Sequence, residues 1–575
     1  MHKAILVIGR RYILSKIVYM ISVTLHICVK VFLCTIIHQI QILFYMSRLL
    51  SIAFLILFTI SANSQATFNI HLEPFNINGF TGIQSFAFGQ HNGKILLIGG
   101  RKDGLHRRQP WASFDAAGHN TDLLVIDPET EEIWAASVNT LPTGLKEQLQ
   151  STNMQFIQEG NTLYVIGGYG FSTANNDHIT HPQLTAVQVD ACINAIVNGT
   201  SISPYLRQFT ADYFAVTGGQ LGKIGDVYYL AGGHKFTGRY NPMNGPSFVQ
   251  AYTNSIKRFK IIDNGINLNY QPLSSWTDAM NLHRRDYNML PQIFPDGRYG
   301  YTMFSGVFQQ TLDLPFLNTV DFDSTAYQVN NTFSQYLNHY HSAKIGVYDS
   351  TNNVMHNVFL GGIAQYFLDD NGNLIQDDNV PFVKTIGRVS RFADSTMTEM
   401  QIGMMPDLLG AGSEFVMAET APIYEHEIID LQQLSGDTVM IGYVLGGIKS
   451  SQPNIFFINT GTESEAYSTL YKVYLIPSGI TSTQVKEPEA FVADWAVFPN
   501  PAEDYFKFRI ELKEPAMVDA YLSNSAGEII LETGLDTLAA GSHEFTVNLE
   551  APESGLYFMS ILVNGRLFTK QLMIK

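Results

Sequence analysis

The segment Gly93–Gly100 reads GKILLIGG, an apolar run that ends in two glycines. Five later segments share this pattern: NTLYVIGG ends at Gly168, DVYYLAGG at Gly233, YGYTMFSG at Gly306, MHNVFLGG at Gly362 and MIGYVLGG at Gly447. Subtraction of successive end positions gives intervals of 68, 65, 73, 56 and 85 residues. Self-similarity at such a period indicates repeated supersecondary units.

The first repeat shows the plan of one unit. IQSFAFGQHNGKILLIGG predicts two strands around a turn at His91-Asn92-Gly93, and TDLLVIDPETEEIW predicts two more around Asp127-Pro128. Four antiparallel strands with a diglycine after the second resemble the kelch repeat of β-propellers. The resemblance implies an all-β fold in which residues 65–477 form a six-bladed kelch-like propeller, similar to the central domain of galactose oxidase. The alternative is a β-sandwich with chance diglycines.

The last repeat lacks a convincing fourth strand after Thr469–Pro477. At the other end of the region, Ala66–Phe75 reads ATFNIHLEPF, a strand without a partner in its own repeat. We expect Ala66–Phe75 to supply the missing outer strand of the sixth unit, because exchange of terminal strands removes exposed sheet edges.

Loops after the diglycines and the connections between units are expected to emerge on one face, because the strands alternate in direction. These segments are rich in Arg, His and aromatic residues, which suit carboxylate, sulfate or phosphate groups and the apolar faces of sugar rings. The candidate ligand-binding residues are Arg101, His106, Arg107, Arg108, Trp111, His234, Arg239, Tyr240, His283, Arg284, Arg285, Tyr287, His339 and His341. They predict a site for a glycan or protein ligand; the alternative is ordinary solvated loops.

Catalysis by an extracellular carbohydrate-active enzyme, epimerase-like or hydrolytic, is the alternative function. The resemblance to kelch-type sialic acid epimerases implies acid–base groups, for which His283, Asp286 or His341 would serve. Copper-radical chemistry is not expected, because Cys192 is predicted to lie in an outer strand far from the axis. His339 and His341 would share one side of a strand without further identifiable metal ligands, so neither metal nor cofactor is expected.

An acidic segment after the fifth diglycine contains Asp369, Asp370, Asn371, Asp377 and Asp378. Clustered carboxylates can bind Ca²⁺, but Leu374 stands where an EF-hand loop requires glycine. Asn371-Gly372 favours a hairpin with an acidic, soluble tip instead.

Charge and N-terminal composition indicate an exported protein. The net charge of −16 argues against general nucleic-acid binding. Residues 46–64 combine a basic start, the apolar run Leu49–Ile60 and small residues before Gln65, which predicts a signal peptide. We expect residues 1–45 to be an upstream extension and the mature protein to have no membrane span; the alternative is a two-segment anchor.

The C-terminal region differs in composition. Residues 478–494 form a polar linker, and residues 495–575 alternate in period two around short turns, which predicts a small Ig-like β-sandwich of about seven strands. Val497–Ala502, the Ala526-Gly527-Glu528 turn, Gly555-Leu556-Tyr557, the Asn564-Gly565 hairpin and a basic last strand resemble the type A sorting domain of type IX secretion cargo. The resemblance implies periplasmic transit, the type IX machinery as partner, and release or surface attachment in a Gram-negative bacterium. The alternative is a carbohydrate-binding sandwich.

Overall fold

The computed structural model describes Met20 and residues 68–243, 247–369, 371–434, 438–477, 492–513, 515–524, 529–549, 554–563 and 566–575. The expected signal peptide, nearly all of the expected upstream extension, most of the linker and the turns at 526–528 and 564–565 lie outside these residues. The chain divides into two compact units, Met1–Gly479 and Ile480–Lys575, and each is considered by itself.

The first unit is built mainly from six sheets, numbered here in chain order, whose strands are antiparallel except for the pair of Lys344–Asp349 with Ile428–Asp430. Sheet 1 contains Ala87–His91, Lys94–Ile98, Asp122–Asp127 and Glu132–Ser137. Sheet 2 contains Gln155–Glu159, Thr162–Ile166, Gln183–Gln188 and Leu206–Thr210. Sheet 3 contains Gln220–Ile224, Val227–Ala231, Ser255–Asp263 and Leu268–Thr277. Sheet 4 contains Asn288–Ile293, Tyr299–Phe304, Thr319–Phe322 and Tyr327–Asn330.

The last two sheets carry additions. Sheet 5 contains Lys344–Asp349, Val354–Leu360, Thr385–Arg391 and Met397–Met404, extended by the hairpin strands Ile423–Glu425 and Ile428–Asp430. Sheet 6 contains Leu409–Met417, Val439–Ser450 with the short Ser464–Ala466, Leu470–Pro477 and Phe68–Phe75. Phe68–Phe75 pairs antiparallel with Leu470–Pro477 over eight residue pairs. The predicted contribution of the N-terminal strand to the last repeat is therefore confirmed.

Six backbone hydrogen bonds link the six sheets in a closed cycle. One residue at or just before the first strand of each sheet takes part, and we call these residues the six-residue ring: Ser85, Asn153, Gly218, Asp286, His341 and Gly412. Each amide donates to the preceding member's carbonyl at 2.7–3.1 Å, and Ser85 donates to Gly412 to complete the cycle. Backbone φ is positive, from 49° to 70°, at every member except His341.

The apolar core follows the same cyclic order. One cluster, with Leu96 and Val165, lies between sheets 1 and 2. Similar clusters fill the gaps between sheets 2 and 3, 3 and 4, 4 and 5, and 5 and 6. A further cluster, with Leu97 and Leu445, joins sheet 6 to sheet 1. Each sheet therefore buries apolar side chains on both faces.

The diglycines follow the second strand of each sheet, at the point where the chain leaves that strand. Both residues of every pair, including Ser305 with Gly306, have positive φ. A Cβ at Gly446 would lie 2.2 Å from the Ile83 carbonyl oxygen, so glycine permits the close approach between sheets 6 and 1. In four of the sheets, the segment that enters the first strand pairs with the loop that leaves the second strand just after the diglycine. The isolated bridges are Gln84 with Arg101, Thr152 with Tyr169, Thr217 with His234, and Arg285 with Val307. These bridges agree with the prediction that both kinds of segment share a face.

Loops between the main sheets form smaller elements. Tyr169–Ser172, Asp177–Thr180, His234–Gly238 and Phe248–Tyr252 form an accessory sheet that the sequence did not indicate. Tyr366–Leu368 and Leu374–Gln376 form the hairpin predicted around Asn371-Gly372. The 3-10 helices are Ala116–Gly118, Val138–Thr140, Ser203–Tyr205, Asp212–Phe214 and Leu431–Gln433, and the α-helices are Thr143–Leu149 (α1) and Val189–Val197 (α2).

Cys192 corrects one prediction, because it lies in α2 and not in a strand. Its side chain is fully buried against the core between sheets 1 and 2, where the apolar face of this short helix packs. Among the described segments of the chain, no helix combines the length and apolar character needed to cross a membrane.

The second unit is a pair of antiparallel sheets around one apolar core. One sheet contains Val492–Phe498, Tyr505–Leu512 and Gly541–Asn548, and the other contains Ile529–Leu538, Ala516–Asn524, Gly555–Val563 and Arg566–Ile574. Phe506, Ile510 and Met559 are buried between them. The seven strands agree with the predicted number. Ala502 donates to the Met573 carbonyl at 2.8 Å and accepts from the Lys575 amide at 2.9 Å, so the Pro-Asn-Pro-Ala segment lies beside the last strand.

Candidate functional site

Long loops of three sheets contact one another on the predicted face. The Arg108 amide donates to the Asn459 carbonyl at 3.0 Å, and the Asn459 side chain donates to the carbonyls of Leu105 and His106. Arg239 donates to the Trp111 carbonyl. Segments 101–119, 451–463 and the hairpin of His234–Gly238 and Phe248–Tyr252 therefore form one surface, which we call the loop face together with the connection 281–287.

Arg285 is the charged centre of the loop face. Its Nε donates to the Tyr252 hydroxyl at 3.3 Å, its Nη1 pairs with the Asp286 carboxylate, and its guanidinium carbon lies 5.1 Å from the Phe308 ring centroid. Nη2 makes no hydrogen bond to the described residues. The side chain is 14% exposed, so this donor can meet a ligand from solvent.

Three tyrosines surround Arg285. The Tyr252 hydroxyl accepts hydrogen bonds from Arg285 and from the Phe308 amide, each at 3.3 Å, which leaves its own proton available for donation. Burial raises the pKa of Tyr240 and of Tyr340, and the nearby Arg285 charge only partly opposes this shift. The phenols of Tyr240 and Tyr340 are therefore protonated donors at neutral pH.

His106 completes this group, which we call the Arg285 cluster: His106, Tyr240, Tyr252, Arg285 and Tyr340. The His106 ring stacks on Phe114 with centroids 5.6 Å apart and meets the Tyr240 ring edge-on at 5.1 Å. Burial, and to a smaller extent Arg285, lower the pKa of His106 to about 4, so the ring is neutral at pH 7. Its Nδ1 is buried without a hydrogen-bond partner in the described part of the chain.

Three predicted ligand residues lie inside the fold, which corrects their assignment. Arg284 is fully buried and donates to the carbonyls of Asn281, Ser305 and Asn318 and to the Asn318 side chain. The buried Tyr287 hydroxyl donates to the Ala231 carbonyl at 2.7 Å. His339 is held between the Gln335 carbonyl and the Gln365 amide. Their polar atoms satisfy backbone groups where sheets meet, so none of these side chains reaches solvent.

Arg101 and His234 are also structural. Arg101 is 2% exposed and makes a bidentate pair with Asp103 at 2.6 and 2.7 Å. His234 is 3% exposed and shares a 2.8 Å hydrogen bond with the Gln250 amide group. Burial lowers the pKa of His234 well below its usual range, so its imidazole stays neutral. Both residues are therefore buried supports of the loop face and are not exposed to a ligand.

The remaining predicted residues of the loop face are accessible to different degrees. Arg107 and Arg108 are exposed, and the Trp111 side chain is 74% exposed. Arg239 is half-buried. His283 is half-buried, with its ring 3.7 Å from the Tyr252 ring and its Nδ1 2.7 Å from Asn254 Oδ1. The loop face thus combines exposed arginines and tryptophan with the Arg285 cluster.

His341 belongs to a different place from His339, since the intervening segment is not a strand. Its Nε2 lies 2.8 Å from Glu414 Oε1, and Lys344 Nζ lies 3.5 Å from the other carboxylate oxygen. Burial alone would raise the pKa of Glu414, but the charges of Lys344 and His341 hold it below its usual value. Glu414 is therefore an anion in close ionic contact with the His341 ring, whose Nε2 makes no well-aligned hydrogen bond within the described residues.

His341, Lys344 and Glu414 line a cavity of about 680 Å³. The first strand of every main sheet contributes to the wall, through Phe88, Phe156, Leu221, Leu290, Ile345 and Phe415. Ser85, Asn153, Gly218, Asp286 and His341 of the six-residue ring also line it, as do Tyr299, His426 and Glu427. The cavity is thus enclosed by the first strands of all six sheets.

Within the described residues, no group of three or more His, Cys, Asp or Glu side chains is arranged so that it could hold a metal ion. Burial raises the pKa of the Cys192 thiol to about 12, which makes it a poor nucleophile and ligand. The thiol is packed in α2 against the core.

Sequence reasoning missed Tyr252, Phe308 and Glu414. Tyr252 ends a strand of the accessory sheet, whose pairing the diglycine pattern does not indicate. Glu414 had a signal: it is the one charged residue in the strand Leu409–Met417, where a buried carboxylate requires partners.

Residues 496–575 match the secretion system C-terminal sorting domain family. This domain indicates export by the type IX secretion system to the cell surface or the extracellular space. No curated protein is significantly similar to the chain.

Three solved structures illustrate the distant structural similarity. YjhT is 10% identical, with 68% of this chain and 95% of YjhT covered and a TM-score of 0.37. A fungal alcohol oxidase of the AA5 family, solved with copper, is 8% identical, with coverage of 88% and 100% and a TM-score of 0.37. PorZ, a surface component of the type IX secretion system of Porphyromonas gingivalis, is 10% identical, with coverage of 89% and 100% and a TM-score of 0.12. Scores this low carry no argument about fold or activity.

Proposed function

We propose that the first unit is a six-bladed kelch-like β-propeller that acts outside the cell as a binding or adhesion module for a glycan or protein. The second unit is then an Ig-like sandwich that directs export. Residues 46–64 would form a signal peptide before the propeller, and residues 478–494 would link the propeller to the sandwich. The cyclic hydrogen bonding of the six-residue ring and the cavity walled by six first strands support the propeller.

The Arg285 cluster carries the proposal of ligand binding. It offers a guanidinium donor, three phenol donors and aromatic surface in one half-buried group. Guanidinium groups bind carboxylates and sulfates well, and tyrosine rings pack on sugar faces at a low cost in conformational entropy. Arg107, Arg108 and Trp111 would extend the contact at the rim. We therefore favour an acidic glycan as the ligand class.

Binding of hyaluronan, chondroitin sulfate and a neutral dextran of similar length to the full chain tests this function. We expect binding of an acidic glycan, no binding of dextran, and an affinity loss of about tenfold or more for Arg285→Met. Lys260→Ala is the control, since Lys260 pairs with Asp226 near the turn between the first two strands of sheet 3, away from the loop face. Equal binding by Arg285→Met and the parent chain would refute the assignment.

A carbohydrate-active enzyme, epimerase-like or hydrolytic, is the second candidate, and the pair of Glu414 with His341 favours it. The carboxylate and the imidazole lie 2.8 Å apart in one cavity, and both are groups that can transfer protons. The test is turnover of N-acetylneuraminate anomers and of aryl glycosides by the full chain. Activity that disappears in His341→Gln would support the enzyme, and unchanged activity in that variant would exclude this residue from catalysis.

A further inference from the structure

The cavity contains one carboxylate that the protein leaves without an ion pair. Four carboxylates line the cavity, and three of them have cationic partners: Glu159 pairs with Lys223, Asp286 with Arg285, and Glu414 with Lys344. The fourth, Glu427, forms no salt bridge within the described residues. Burial raises the pKa of the Glu427 carboxyl, which the charge of Lys344 only partly opposes, so a cationic ligand would stabilise its charged form.

Glu427 reaches the cavity through an unusual turn. It follows His426 at the tip of the hairpin formed by Ile423–Glu425 and Ile428–Asp430, and both tip residues have positive φ, 49° for His426 and 62° for Glu427. Such positions favour Asn-Gly, because other side chains are strained there. The two side chains at this tip line the cavity, and the His426 ring stacks on Tyr299 at 3.8 Å. Buried Ile428 and Ile429 anchor the hairpin.

A second unsatisfied acceptor lies on another wall of the cavity. Gln155 is 1% exposed, and its Nε2 donates to the Asn153 carbonyl at 2.7 Å. Its Oε1 is buried without a hydrogen-bond partner in any described segment, although a buried acceptor normally has one. Gln155 lines the cavity, so a ligand donor beside this side chain would satisfy the oxygen once the amide group turns towards it.

Part of the wall suits an apolar or aromatic ligand body, although Lys223, Lys344 and several amide side chains also line the cavity. Phe88, Phe156, Phe415, Tyr299 and Tyr301 line the cavity beside aliphatic residues. Aromatic faces attract organic cations through their quadrupoles. A volume of about 680 Å³ is in the range of small-molecule sites.

We propose that this cavity binds a small organic cation with an apolar body, whose ammonium group pairs with Glu427 and whose second hydrogen-bond donor reaches Gln155. The site is distinct from the Arg285 cluster, whose members lie outside the cavity lining, although Asp286 lines the cavity and pairs with Arg285. The chain would thus recognise an anionic ligand at the loop face and a cationic one inside.

Calorimetry on the full chain with three molecules of similar shape tests the charge preference. Tyramine is cationic, tyrosol is neutral and 4-hydroxyphenylacetate is anionic. We expect tyramine to bind at least about tenfold more tightly than the other two. Phenethylamine lacks the phenol donor, so it should bind more weakly than tyramine. Equal affinities across the three molecules, or no binding of tyramine at 10 mM (roughly the weak limit for a small-molecule site), would overturn the proposal.

A matched pair of variants assigns the charge to one residue. Glu427→Gln should remove the preference for tyramine over tyrosol, whereas Glu425→Gln, in the same hairpin but outside the cavity lining, should keep it. Both side chains are accessible, so both variants should fold, which thermal unfolding verifies. A preference that survives Glu427→Gln would refute the assignment. Unchanged glycan binding by Glu427→Gln would separate this site from the loop face.

Discussion

The backbone amide of Ser85 donates to the carbonyl of Gly412 at 2.8 Å, which joins the connection before sheet 1 to the first strand of sheet 6. The other five hydrogen bonds of the six-residue ring connect neighbours in chain order, so this one closes the cycle. Phe68–Phe75 makes a second closure at the outer edge of sheet 6. We therefore expect the stability of the first unit to depend on these contacts between distant parts of the chain.

Phe68→Ala tests the outer closure. Phe68 is fully buried in the core between sheets 5 and 6, with its ring 5.4 Å from the His356 ring. Loss of this side chain should lower the free energy of unfolding by about 3 kcal/mol, because a buried cavity remains. Urea unfolding measures the change, with exposed Asn69→Ala as the control from the same strand. A loss no greater than the control's would mean that the strand does not secure the unit.

Gly218→Ala tests the six-residue ring. Gly218 has a φ of +66°, and an added Cβ would lie 2.7 Å from Asp286 Oδ1. Gly225→Ala is the control, because its φ is +61° and nothing lies within 4 Å of its Cβ position. The free energy of unfolding should fall by about 1 kcal/mol in Gly225→Ala, because alanine is strained at positive φ. It should fall by about 3 kcal/mol in Gly218→Ala, because the added Cβ also clashes with Asp286. Equal losses would show that the ring tolerates a side chain there.

Arg284 and Arg285 are adjacent but should affect different measurements. Arg284→Ala should lower the free energy of unfolding by about 3 kcal/mol or more, because four acceptors lose a buried partner. Arg285→Ala should cost about 1 kcal/mol but weaken ligand binding. Urea unfolding and glycan binding of both variants distinguish the roles; a reversed pattern would contradict the assignment of Arg285 to the site.

Buried histidines should make the first unit sensitive to acid. Burial lowers the pKa of His106, His181, His339 and His356 to about 4 and of His119 to about 3. The folded pKa lies below the unfolded value of 6.5, so the unfolded chain binds more protons below pH 6.5. Their stabilising contribution is present above pH 6.5 and is lost as the pH falls towards 4.

Urea unfolding at pH 7.5, 5.5 and 4.5 measures this loss. His339→Gln should be less stable than the parent chain at pH 7.5. Between pH 7.5 and 4.5 its free energy of unfolding should fall less than that of the parent chain, by up to about 3 kcal/mol. His71→Gln, at an exposed position, should follow the parent chain. Parallel pH profiles for His339→Gln and the parent chain would contradict a neutral, buried His339.

The sequence anticipated the local features because short-range backbone chemistry determines them. Alternating apolar strands, the Asn371-Gly372 hairpin and the pairing of the N-terminal strand follow from local patterns and from the need to cover sheet edges. It failed at Cys192, where the tertiary contacts of a short amphipathic helix prevail over an apolar run typical of a strand. It also missed the accessory sheet, whose strands come from loops of different repeats.

The sequence by itself determined the repeated strands and the sorting domain, which it predicted at residues 495–575 and the family match places at 496–575. Only the tertiary structure decided which of two neighbouring arginines is structural, and it brought Tyr252, Glu414 and Glu427 to places that no local pattern marks. The physical reason is that strand patterns arise from neighbours along the chain. Whether a charged side chain is paired, buried or left facing a cavity depends on groups brought together from distant repeats.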